Sequence, residues 1–222
     1  MKKAFYIVSA IVSVGLVLGS YLQWLPLSMV EVLGFITGGA CVWLTVLENI
    51  WNWPIGIANS AFFLVLFWRG ALYADASLQI IYIVLGFLGW YWWLYGGKEK
   101  TELRISHASP KTMTVLAFIT VVTTYAFTVY LRTVSDTAPF WDAFTTVISL
   151  VAQYLLTKKL IENWYVWILA DIIYIPLYAY KELYLTAVIY IVFMAMCFMG
   201  LKEWKRLKNA HEVVAPALQP AI

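Results

Sequence analysis

The sequence predicts an all-α integral membrane protein of about eight transmembrane helices. Two parallel three-helix repeats flank a linker helix, a 3+1+3 plan, with one extra helix at the N-terminus. Three observations predict it. Of 222 residues, 63% are apolar and only 12% charged, where a soluble domain averages about 45–50% and about 25%. So few charges cannot furnish a water-facing surface. The charges are also segregated, leaving uncharged stretches near the length of about 20 residues that a helix needs to cross a bilayer. Finally, the chain matches itself at a displacement of 111 residues.

The elements follow in order. Span 1, Ala4–Leu22, comes after Lys2 and Lys3. A cleaved signal peptide opens the same way, but its apolar core is about 7–15 residues and ends at a small-x-small site. This run is longer and has no clear such site, so it reads as a retained helix, with 1–29 as an N-terminal unit. Spans 2–4, at Val30–Leu47, Trp53–Trp68 and Ser77–Tyr95, form the first repeat, 30–96. Residues 97–139 hold a polar loop and the linker span Met113–Leu131. Spans 6–8, at Phe140–Leu156, Trp164–Tyr180 and Leu183–Leu201, form the second repeat, 140–204. Residues 205–222 read as a disordered tail, being basic and then Val/Ala/Pro/Gln-rich. Flanking aromatics and snorkelling side chains extend the shorter spans. The alternation of a transmembrane barrel is absent.

Charge sets an expected orientation. With the N-terminus inside, the inner segments hold Lys2, Lys3, Lys98, Lys100, Arg104, Lys111, Lys158, Lys159, Lys202, Lys205, Arg206 and Lys208. Only Arg69, Arg132 and Lys181 fall outside. This partition obeys the positive-inside rule and puts both termini in the cytoplasm. The net charge of +3 then reflects topology, and no nucleic-acid partner is expected.

The repeat is carried by rare residues. At the displacement of 111, Asn52-Trp53 lands on Asn163-Trp164, and Leu72-Tyr73-x-x-Ala76 on Leu183-Tyr184-x-x-Ala187. Phe87-x-Gly89-x-x-x-Trp93 lands on Phe198-x-Gly200-x-x-x-Trp204, and Glu31 on Asp142. A move of four spans preserves direction through the bilayer, so the repeats are parallel. Transporters built this way place substrate near mid-membrane between the halves.

Polar side chains at bilayer depth are costly and face cavities or partners. Trp164, Trp167, Asp171, Tyr174 and Tyr178 share one helical face. Gln79, Tyr82, Gly86, Trp90 and Trp93 share another, and Asp142, Thr145, Ser149 and Gln153 a third. Gln79 and Gln153 fit a helix-packing hydrogen bond equally well. The expected binding set is Trp53, Asn59, Gln79, Tyr82 and Trp90 from the first repeat, and Asn163, Trp164, Trp167, Asp171, Tyr174 and Tyr178 from the second. Trp92, Trp93, Tyr95 and Trp204 read as an interface belt, and Gly34-x-x-x-Gly38 as close helix packing. Aromatic faces suit a flat, especially cationic, ring. No Lys or Arg lies inside a span to clamp a phosphate. A small unphosphorylated nucleoside or vitamin is therefore the expected substrate, with Asp171 available to balance a positive charge. Whether a proton travels with it stays open.

Other chemistry lacks its residues. No phosphate-binding or dinucleotide motif and no HExxH occurs. His107 and His211 lie in the loop and tail, and Cys41 and Cys197 have no CxxC partner and read as packing residues. No cofactor, metal or catalytic set is expected, which makes an intramembrane enzyme or receptor the weaker class.

The residues also carry a resemblance. Asn52-Trp53-Pro54-Ile55-Gly56-Ile57-x-Asn59, Leu72-Tyr73-Ala74-Asp75-x-x-Leu78-Gln79-x-x-Tyr82 and Gly89-Trp90-Tyr91-Trp92-Trp93 resemble the PnuC family. In the second half, Glu162-Asn163-Trp164-x-x-Trp167-x-x-x-Asp171 and Leu177-Tyr178-x-x-Lys181-x-Leu183-Tyr184-x-Thr186-Ala187 agree. The likeness spans about Val30–Trp204. It implies a trimeric nicotinamide riboside transporter of the bacterial inner membrane, in contact with lipid and related in plan to the SWEET sugar transporters. It implies facilitated diffusion, with a separate cytoplasmic kinase trapping the substrate. Relatives carry thiamine or riboflavin, so another vitamin or a sugar is the alternative.

Overall fold

The computed structural model describes residues 2–25, 28–70, 73–134 and 137–217. Leu72 of the repeat motif and residues 218–222 of the tail lie outside them. Among the described residues eight α-helices follow one another: α1 Lys2–Tyr21, α2 Met29–Val46, α3 Asn52–Arg69, α4 Tyr73–Tyr95, α5 Pro110–Thr133, α6 Pro139–Thr157, α7 Glu162–Tyr180 and α8 Tyr184–Ala217. Four stretches, Met29–Val46, Asp75–Tyr95, Pro110–Thr133 and Tyr184–Ala210, are long and apolar enough by themselves to cross a membrane. Helices α3, α6 and α7 are as long but carry the polar residues of the interior. On α5, Phe118, Val121 and Tyr125 point outward about 70% exposed. That is a stable arrangement against lipid or a neighbouring protein, not against water.

Local chemistry sets the boundaries. Ser28 caps α2: its Oγ accepts from the Glu31 amide, while the Glu31 carboxylate accepts from the Ser28 amide, a capping box. Ser109 caps α5 through the Thr112 amide, and Pro110 fills the first turn, where its missing N–H costs nothing. One boundary differs from expectation. The sequence places a tail without structure over 205–222, yet α8 continues to Ala217. Residues 202–210 are good helix formers with no Gly or Pro, Glu203 pairs with Arg206 along one face, and Trp204 is held inside the protein.

The triplets pack alike. Helix α2 lies on α3 and α3 on α4; α6 lies on α7 and α7 on α8. Between the repeats α2 meets α8 and α4 meets α6, which the displacement of 111 exchanges. The same displacement carries α1 into α5, and each packs on the first helix of the triplet after it. The extra N-terminal helix is thus the positional counterpart of the linker.

Four tryptophans tie the halves together. Trp53 meets Trp93 edge to face at 5.3 Å and 88°, and their equivalents Trp164 and Trp204 do the same at 5.4 Å and 88°. Trp93 and Trp204 then touch each other at 5.8 Å. Gly89 and Gly200 make room: a methyl group on Gly89 would sit inside the Trp53 ring, and one on Gly200 inside the Trp164 ring. Reciprocal hydrogen bonds cross the junction, as Trp93 Nε1 donates to the Leu156 carbonyl (3.0 Å) and Trp204 Nε1 to the Thr45 carbonyl (2.9 Å). Positions 45 and 156 are themselves repeat equivalents. So are Glu48 and Lys159, which pair at 2.6 Å. Both sit just past a helix end at φ 56°, a left-handed conformation costing roughly 1–2 kcal/mol for a residue with a Cβ. These pairings mark a pseudo-twofold axis. The expected interface belt is corrected here: Trp204 is fully buried and Trp93 nearly so. Trp92 is half-buried with Lys158 Nζ 3.2 Å above its ring, and burial lowers the Lys158 pKa.

The polar loop before α5 is also built in. After a 3₁₀ turn at Lys98–Lys100, Leu103 N donates to the Trp93 carbonyl, and Lys159 Nζ donates to the Leu103 carbonyl. Ser106 forms a parallel bridge with Leu160, Glu162 accepts from Ala108 N and contacts His107 Nδ1 at 2.8 Å, and Ile105 packs into the tryptophan cluster.

Candidate substrate site

Directly against this junction lies a cavity of about 260 Å³, near the lower edge of the range of about 300–1,000 Å³ usual for small-molecule sites. Helix α2 supplies Cys41, Val42 and Thr45, and α4 supplies Tyr82. Helix α6 supplies Ser149, Gln153 and Leu156, and α8 supplies Tyr190, Phe193 and Cys197. The fullest wall is α7, with Asn163, Trp164, Trp167, Asp171 and Tyr174. Three pairs of repeat equivalents line it together: Val42 with Gln153, Thr45 with Leu156, and Tyr82 with Phe193. The cavity therefore straddles the pseudo-axis. Its chemistry does not, because α3, the equivalent of α7, contributes no wall. Where α7 has Trp167, Asp171 and Tyr174, α3 has Gly56, Ser60 and Phe63.

Of the expected residues, the structure brings together Tyr82, Asn163, Trp164, Trp167, Asp171 and Tyr174 around the cavity. Tyr178 stands one layer out, stacked on Tyr174 at 5.5 Å and on Tyr190 at 5.1 Å. The other first-repeat residues stand outside the wall. Trp53 is buried in the tryptophan cluster and Trp90 packs on that cluster. Asn59 Nδ2 donates to the Gly34 carbonyl and Thr37 Oγ1, between α3 and α2. Gln79 is half-buried on α4, outside the cavity lining. Tyr190 and Phe193, which the sequence does not single out, complete the aromatic side; Tyr190 lies 4.8 Å from Tyr174. Their signal was the spacing Tyr190, Phe193, Cys197 on one face of α8, which looks the same for a lipid-facing stripe.

Polar groups are distributed with purpose. Asn163 Nδ2 donates to the Leu160 carbonyl at 2.6 Å, but its Oδ1 and the Trp164 Nε1 have no partner among the described residues. Both side chains are fully buried, and buried polar atoms normally are satisfied. Ser149 Oγ and Tyr174 Oη share a hydrogen bond of 3.2 Å. Asp171, 3% exposed, accepts from Cys197 Sγ at 3.5 Å. Among the described residues, no Lys, Arg or His lines the cavity. Cys41 and Cys197 are free thiols in the wall, so they pack, as expected, but against a cavity.

An aromatic cavity between parallel repeats of membrane helices fits a small-molecule transporter. The chain belongs to the nicotinamide mononucleotide transporter family, whose sequence profile matches residues 28–206. It is 29% identical to the nicotinamide riboside transporter PnuC of Escherichia coli (strain K12), over 86% of this chain and 90% of that one. It is 26% identical to the riboflavin/roseoflavin transporter RibM of Streptomyces davaonensis, over 78% and 83%. The crystal structure of the vitamin B3 transporter PnuC superposes with a TM-score of 0.68, covering 91% of this chain and 92% of that one at 22% identity. That likeness shows the fold. The family consists of transporters, not enzymes.

Proposed function

We propose that this protein carries nicotinamide riboside across the bacterial inner membrane by facilitated diffusion, with a separate cytoplasmic kinase trapping it. The observation that carries the reading is the aromatic cavity without a basic side chain. A planar pyridinium ring suits Trp167, Tyr174 and Tyr190, and the unpartnered Asn163 Oδ1 suits a carboxamide or ribose donor. The family takes its name from a mononucleotide, but a phosphate would enter this cavity with no Lys or Arg to meet it. RibM favours a second reading, riboflavin; the small cavity weighs against its three fused rings. The binding set follows the cavity: Tyr82, Asn163, Trp164, Trp167, Asp171 and Tyr174, with Tyr178 behind them. The charge partition puts both termini and the loop before α5 in the cytoplasm, and a homotrimer surrounded by lipid is the assembly that the resemblance implies.

Uptake into liposomes holding the purified protein tests this. Nicotinamide riboside should enter saturably and stop at equal concentrations inside and out, with or without a proton gradient. Accumulation above equilibrium contradicts facilitated diffusion, and uptake of riboflavin instead contradicts the substrate.

A further inference from the structure

We propose that Asp171 sets the charge preference of the cavity: its carboxylate is the counter-ion of a permanently cationic heterocycle, and so separates a pyridinium nucleoside from a neutral flavin. The proposal deepens the function proposed for the cavity and rests on it. Asp171 is 3% exposed and stands in the wall of the cavity. Its hydrogen bond is from the Cys197 thiol at 3.5 Å, a weak donor. The described cavity wall holds no Lys, Arg or His. The buried Lys159 is committed to Glu48, and the half-buried Lys181 to Asp142. A carboxylate withdrawn from water with one weak donor is poorly compensated. A cationic ring completes the site by charge pairing with Asp171 and by stacking on the neighbouring Trp167 and tyrosine rings. The repeat equivalent, Ser60, is not in the wall, so the cavity offers one carboxylate for one cation. A protonated Asp171 would instead donate a hydrogen bond to any acceptor and give no preference for charge.

The experiment compares ligand charge with residue charge in the purified full-length protein. Calorimetry reads binding of nicotinamide riboside and of its neutral 1,4-dihydro form to the parent, Asp171→Asn and Asp171→Glu. The ratio of cation to neutral affinity should fall by about tenfold or more from the parent to Asp171→Asn, leaving what the aromatic rings confer, and Asp171→Glu should keep the parent's ratio. The dihydro ring also stacks less well, but that loss is common to all three proteins and cancels in the comparison. Equal weakening of both ligands in Asp171→Asn assigns a structural role and overturns the proposal, as does an undiminished preference. If Asp171→Asn does not fold, the parent decides, and equal affinity for both forms overturns it. Thiamine, a permanent cation, and riboflavin separate the two readings. A parent that binds thiamine in place of nicotinamide riboside, and loses it in Asp171→Asn, refutes the substrate while upholding the counter-ion. A parent that binds riboflavin and no cation refutes both.

Discussion

At the scale of single residues, the cavity separates side chains that the sequence groups together. Trp167 lines it while Gln79 does not. A cation over a desolvated Trp is worth about 2 kcal/mol, so Trp167→Leu should weaken nicotinamide riboside binding by about tenfold or more in calorimetry, and Gln79→Ala should leave it within about twofold. Equal losses would place the ligand elsewhere. Both residues looked alike in the sequence, as polar-aromatic members of an internal face. Periodicity shows which side chains share a face, but in a membrane both lipid and protein interior are apolar. Nothing in the pattern says which face meets the cavity. Asp171 was legible because a carboxylate at bilayer depth is too costly to keep unless it meets a cavity or a partner. Tyr190 and Phe193 were not, because aromatics on α8 read equally as a lipid-facing stripe. Trp93 and Trp204 were misplaced for a related reason: tryptophans near span ends usually anchor at the interface, and here they pack on Trp53 and Trp164 and donate across the junction instead.

At the scale of elements, the glycines and tryptophans that made the repeat visible are the ones that pack it. Each Trp–Gly contact holds two helices of one triplet close. Overpacking such a site costs typically about 1–3 kcal/mol, so Gly89→Ala and Gly200→Ala should each lower the thermal unfolding temperature of the purified protein, and by similar amounts, since their surroundings are equivalent. The cross-repeat bonds make a second matched pair. Trp93→Phe removes the bond to the Leu156 carbonyl, which keeps the Lys159 amide, and Trp204→Phe removes the bond to the Thr45 carbonyl, which keeps the Glu48 amide; losing one such hydrogen bond costs about 0.5–1.5 kcal/mol. A large effect at one site and none at its equivalent would mean that the pseudo-axis is not an energetic feature. The helices themselves were legible, their ends falling within a few residues of expectation, because length and apolarity fix a membrane span. The continuation of α8 to Ala217 was not, since a basic stretch reads as a tail until Trp204 is seen buried beneath it.

At the scale of the whole molecule, two similarly packed triplets produce one asymmetric site. The junction is symmetric in its tryptophans and its reciprocal bonds, while the cavity takes most of its polar chemistry from α7, which has no counterpart in the wall. Glu48 and Lys159 are equivalent positions that carry opposite charge and face each other. Breaking a buried pair by removing one partner costs about 3–5 kcal/mol. Glu48→Gln should therefore unfold at a markedly lower temperature, and the exchange Glu48→Lys with Lys159→Glu should recover most of the loss. The central claim is that this cavity accepts a pyridinium nucleoside and refuses its phosphate, even though the family is named for a mononucleotide. Calorimetric titration of the purified protein with nicotinamide riboside and with its 5′-phosphate tests it most directly. The absence of basic side chains predicts nicotinamide riboside to bind about tenfold tighter or more; equal or tighter binding of the phosphate would contradict the claim.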